Sequence, residues 1–176
     1  MNSNYEDFEK GLLLNVRLSE TGKNRTNFLI EGDAKPAVKI LTEAGVPFVY
    51  CDGASLYEDY HIGALDPSDL CGNLLLELLE KVDGDYKKTK KVIIVDGVDR
   101  ITDQRLLDSL TQFFATSLMR VDHDGKSHYF DLLNLTLIFA GHFKDKEPMP
   151  FINLIGPYCV KYQISSDDVE KTPGAK

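Results

Sequence analysis

The chain has 176 residues, 43% hydrophobic and 27% charged, a balance that supports one globular domain with a sizeable core. A formal net charge of −8 argues against a nucleic-acid partner, because an acidic surface repels phosphate backbones. Cys51, Cys71 and Cys159 are odd in number and widely spaced, with no CxxC or Cys/His spacing. That excludes a disulfide framework or zinc site as the organising feature and fits a reducing, cytoplasmic setting.

Residues 1–26 read as an N-terminal segment of mixed character. Within it, Leu12 to Leu18 suits a short helix or strand, and Ser19 to Thr26 is a polar loop. The acidic start MNSNYEDFEK carries no signal-peptide pattern, and no apolar run approaches the ~20 residues of a membrane helix. Asn27 to Glu31 (NFLIE) is a first strand, followed by Gly32 and Asp33. Pro36 suits the first turn of a helix running to Ala44, which Gly45 ends. Phe48 to Cys51 (FVYC) is a second strand. Leu70 to Val82 places Leu70, Leu74, Leu75, Leu78 and Leu79 at helical spacing.

Lys87, Lys88, Lys90 and Lys91 form the only basic run, read as a solvated lead-in to the next strand. Val92 to Val95 (VIIV) is uniformly apolar and β-branched, the mark of a strand covered on both faces. Asp103 to Met119 reads as a helix, Asp124-Gly125 as a hairpin turn, Leu135 to Ala140 as a fourth strand and Tyr158 to Gln163 as a fifth. Residues 166–176 read as a polar, disordered tail. Strands alternating with helices predict an α/β domain over 27–165, with a parallel sheet and helices on both faces.

Ligands of such sheets bind outside the carboxyl ends of the strands. A phosphate-binding loop there needs GxxxxGK[ST], with glycines exposing backbone N–H groups and lysine balancing charge. This chain has only Gly32-Asp33-Ala34-Lys35-Pro36. The second glycine and the Mg²⁺-holding hydroxyl are absent, Asp33 adds negative charge, and Pro36 removes a donor. Lys35 alone is weak support for phosphate binding. The third strand ends in Asp96, where an acid can hold Mg²⁺, but Gly97 follows where a glutamate would orient water.

Taken in order, NFLIEG, VPFVYCDGASLYEDYHIGA, KKVIIVDGVDRI, LTLIFAGHF and FINLIGPYCVKYQISSDD resemble successive signatures of the large AAA+ domain of ClpX/HslU-type (Clp) unfoldase ATPases. The likeness runs from about Asn27 to Asp168. It implies a three-layer αβα, P-loop-NTPase-like fold with strand order 5-1-4-3-2, the strands numbered as read above, and with the small helical lid domain missing. It also implies that Gly32, Lys35, Asp96, Asp99 and His142 are remnants of a nucleotide site. In the family's pattern Asp99 and Arg100 match an acid–base pair, and His142 falls near the first sensor. Gly97 and Pro157 stand at the degenerate positions of the catalytic glutamate and the arginine finger. Tyr60, His61, Ile62 and Gly63 resemble the central-pore loop.

The expectation is a pseudo-ATPase with no cofactor, acting through protein partners: an active Clp-type chaperone or protease, another AAA+ assembly, or a second copy of itself. Two alternatives stand beside it. One is a divergent ATPase or chaperone holding ATP or ADP with Mg²⁺ through Lys35 and Asp96. The other is a non-catalytic loader-type subunit that positions active neighbours.

Overall fold

The computed structural model describes residues 3–19, 26–56, 70–82, 91–144 and 146–164. The first helix, α1, runs Ser3–Ser19 and is much longer than the short element expected around Leu12. Tyr5, Phe8, Leu12 and Val16 recur at helical spacing along it, and all four are buried. The expectation missed this stripe because acidic residues interleave its first half.

After α1 come β1 (Asn27–Glu31), α2 (Lys35–Glu43) and β2 (Phe48–Asp52). Pro36 lies in the first turn of α2, as expected. The helix ends where Gly45 N–H donates to Thr42 O and Val46 N–H to Leu41 O, the paired bonds of a Schellman stop. Next are α3 (Leu70–Lys81), β3 (Val92–Asp96) and α4 (Gln104–Ala115). Asp103 caps α4 by accepting from Arg105 N–H.

That helix stops short of the expected Met119. Thr116 is extended, and Leu118–His123 (β4) pairs antiparallel with Lys126–Asp131 (β5) around Asp124-Gly125. Both turn residues have positive φ, 51° and 74°, as a two-residue hairpin turn requires. The chain then continues through β6 (Thr136–Gly141), α5 (Pro150–Ile155) and β7 (Cys159–Gln163).

Five strands form one parallel sheet, ordered β2-β3-β6-β1-β7. In these labels the digits differ from the expected 5-1-4-3-2, whose fourth and fifth strands are β6 and β7 here. The described chain carries seven strands rather than five, and the β4–β5 hairpin stands outside the main sheet between its third and fourth members. The two faces of the sheet bury different helices. Phe28, Ile30, Ile94 and Ile138 pack against α1 and α2, whereas Leu29, Val49, Ile93, Val95, Leu137 and Phe139 pack against α3, α4 and α5. Strands β3 and β6 are buried along their whole length, as the apolar run Val92 to Val95 predicts for β3. Each fully covered Phe, Leu or Ile contributes about 1.5–3 kcal/mol relative to exposure.

One basic residue departs from expectation. Lys91 is fully buried at the start of β3, not solvated, while its carbonyl accepts from Thr136 N–H. Lys87, Lys88 and Lys90 lie outside the described residues, as does the tail after Ile164. No helix among the described residues is long and apolar enough to cross a membrane.

Candidate functional site

The chain leaves β1 into α2 on one face of the sheet and leaves β6 toward α5 on the other, and β1 and β6 are neighbours. Diverging connections at adjacent strands open a crevice beyond their carboxyl ends. A crevice of about 210 Å³ lies there, lined by Gly32, Asp33, Asp96, Gly97, Asp99, Arg100, Gly141 and His142. The structure therefore gathers Gly32, Asp96, Gly97, Asp99 and His142 around one space. Lys35 lines a neighbouring cavity that shares Asp96. Pro157 is at the opposite end of the sheet, exposed in the turn that precedes β7. Tyr60, His61, Ile62 and Gly63 fall outside the described residues.

The backbone around the crevice decides what can bind. Gly32 N–H donates to Gly141 O at 2.9 Å, which ties the loop after β1 to the end of β6. Gly32 has φ +137°, and a Cβ there would lie 2.1 Å from Ile164 O. Only glycine suits that conformation and that spacing. Lys35 N–H, at the start of α2, donates to the Asp33 carboxylate at 2.9 Å. An anion at a helix start is stabilised by the helix dipole, and here the anion is the chain's own.

A second internal anion is held at the loop after β6. Glu31 ends β1, and its carboxylate accepts from Phe143 N–H at 2.9 Å and Lys144 N–H at 2.8 Å. Successive backbone N–H groups of this kind are what a phosphate would use. No sequence signal pointed to Glu31, because its acceptor role depends on a loop 112 residues away.

The remaining acids are also engaged. Asp96 accepts from the Tyr50 hydroxyl at 2.7 Å. Burial first, then that hydrogen bond and the nearby carboxylates, push the Tyr50 hydroxyl well above the ordinary phenol value. Asp99 accepts from Lys146 Nζ at 2.8 Å and from His142 N–H at 3.3 Å. Burial raises the Asp99 carboxyl, but Lys146 and the backbone N–H donors outweigh it and hold Asp99 below the ordinary carboxylate value. Arg100 is not the partner of Asp99. It reaches Asp52 at 2.9 Å, across from β3.

Gly97 is demanded twice. Its φ is +63°, and a Cβ would lie 2.1 Å from Arg100 Nη2. A glutamate at this position would be strained and would displace the guanidinium that pairs with Asp52. Among the described residues no three His, Cys, Asp or Glu side chains are grouped so as to hold a metal ion. The backbone N–H groups of Gly32, Lys35, Phe143 and Lys144 already have acceptors within the chain, and Asp96 accepts from a tyrosine. No protein-family model matches the chain, and no curated protein matches it.

Proposed function

We propose that the chain is an AAA+ ATPase-like protein that has lost catalysis, a pseudo-ATPase with a P-loop-NTPase-like fold that works through protein contacts. One observation carries this reading. In the connection after β1, where a phosphate loop would stand, the Gly32 N–H is taken by Gly141 O and the Lys35 N–H by the Asp33 carboxylate. Phosphoryl transfer depends on several positioned groups acting at once, so filling the phosphate donors while Gly97 replaces the water-orienting acid removes the basis of catalysis. The AAA+ part of the reading rests on the five ordered sequence patterns between Asn27 and Asp168.

Surface apolar groups support the protein-contact part. Leu154 and Tyr158 are 56% and 62% exposed and flank a groove of about 260 Å³ shared with Thr111, Phe114 and Ala115. Grouped exposed apolar side chains mark interaction surfaces more often than isolated ones do. The partner in this reading is a Clp-type unfoldase, another AAA+ assembly or a second copy of the chain.

The test is calorimetric titration of ATP and of ADP, each with Mg²⁺, into the purified chain. No binding heat is expected. Micromolar binding of either nucleotide would sink the reading.

A further inference from the structure

A larger cavity, about 410 Å³, lies beside the crevice between α2 and the outermost strand β2. Lys35, Val38 and Lys39 line it from α2, Phe48 and Tyr50 from β2, and Asp96 from β3. Its existence follows from the sheet. Side chains two apart on a strand share a face, so Phe48 and Tyr50 both point toward the α2 side. Because β2 is an edge strand, these rings stay incompletely covered, and Tyr50 is 40% exposed.

The lining has two chemical parts. Two aromatic rings and Val38 give an apolar surface suited to a flat ring, for which offset or edge-on aromatic contact is favourable. The α2 side carries two ammonium groups at i,i+4 spacing, which places them on one helix face. Lys39 is held by Glu43, whereas the Lys35 ammonium has no ion-pair partner among the described residues. Asp96 already accepts the Tyr50 hydroxyl. The cavity volume falls in the range of small-molecule sites, which pair a mostly apolar lining with a few polar groups that fix orientation.

We propose that this cavity binds a small planar aromatic anion, with its ring against Phe48, Tyr50 and Val38 and its carboxylate or phosphate at Lys35. The site uses none of the backbone donors of the crevice, so it stands or falls separately from the loss of nucleotide binding.

The probe is 2-naphthoate, titrated into the ¹⁵N-labelled full chain and followed by NMR, with neutral 2-naphthylmethanol as the control. Saturable shifts are expected at Lys35, Val38, Phe48 and Tyr50, with a Kd of about 1 mM or tighter. The neutral alcohol should bind at least several-fold more weakly. Lys35→Ala should weaken 2-naphthoate about tenfold, the effect of losing one charge-assisted contact. Lys35 is exposed, so this variant keeps the fold. Val38→Phe, checked for a dispersed spectrum, should abolish binding by filling the cavity. The proposal is overturned by absence of saturable shifts at these residues, by equal affinity for the neutral alcohol, or by unchanged affinity in Lys35→Ala.

Discussion

The crevice at the ends of β1 and β6 and the cavity beside β2 share Asp96, yet they are opposite in character. Beside the crevice, internal acids have taken backbone donors: Glu31 holds two successive N–H groups, and Asp33 holds the first N–H of α2. In the cavity, an unpaired ammonium and two aromatic rings face open space among the described residues. The lesson is that position in a parallel sheet sets where a site can form, while the satisfaction of its polar groups sets whether anything binds there. Donors already bonded inside the chain offer a ligand little net gain, since binding must break one hydrogen bond to make another.

The sharpest way to break this comparison is Gly32→Ala. The added Cβ would meet Ile164 O in a backbone conformation closed to alanine, so a loss of about 3 kcal/mol is expected in urea unfolding. A loss below about 1 kcal/mol would mean that the loop after β1 is free to open, and the crevice with it.

Glu31→Ala comes next. It leaves the N–H groups of Phe143 and Lys144 without their carboxylate and should cost about 2 kcal/mol. It should also open an anion site at these two N–H groups. Inorganic phosphate is expected to shift the Phe143 and Lys144 amide resonances in the variant and leave them unmoved in the parent chain.

Gly97→Glu restores the acid that a hydrolytic site would carry. At φ +63° it should cost about 1–2 kcal/mol and yield no ATPase activity, because the phosphate donors remain occupied. Turnover in this variant would show that one missing acid, not a filled site, is what silences the chain.

Tyr50→Phe removes one hydroxyl where the two spaces meet and should cost about 1 kcal/mol. In the parent chain, an ultraviolet pH titration should show tyrosine ionisation displaced above the ordinary phenol range, and the Tyr50 part of that amplitude should vanish in the variant.

The smallest effect concerns acid. The Asp99 carboxyl lies below its ordinary value of 3.8 in the folded chain. Its contribution to stability is therefore complete above the unfolded value and is lost as pH falls through the lower, folded one. NMR titration should give an Asp99 midpoint below 3.8, and Lys146→Ala should raise it.

Much of the fold was legible from local pattern. The run Val92 to Val95 announced a strand covered on both faces, and Asp124-Gly125 announced the hairpin. Pro36 placed the start of α2. Helix α1 was legible in principle, since Tyr5, Phe8, Leu12 and Val16 recur at helical spacing, but its charged neighbours obscured the stripe. The α4 boundary was not legible. Leu118 and Met119 continue the apolar pattern of the helix, and only their pairing with Phe130 and Asp131 draws them into β4. Lys91 was misread for a similar reason, as a lysine looks solvated in sequence whatever the sheet packs around it.

The sequence by itself determined the alternation of apolar strands and amphipathic helices, and with it an α/β chain with a parallel sheet. It also determined that acids end β1 and β3, and that glycine follows each. Only the tertiary structure decided what those acids do. Glu31 reaches the loop after β6, Asp96 reaches a tyrosine on β2, and Arg100 leaves its neighbour Asp99 for Asp52. Hydrophobic periodicity is a local property, set by how side chains repeat along one element. The partner of a buried polar group is not local, because it is whichever donor or acceptor the packed sheet brings within about 3 Å.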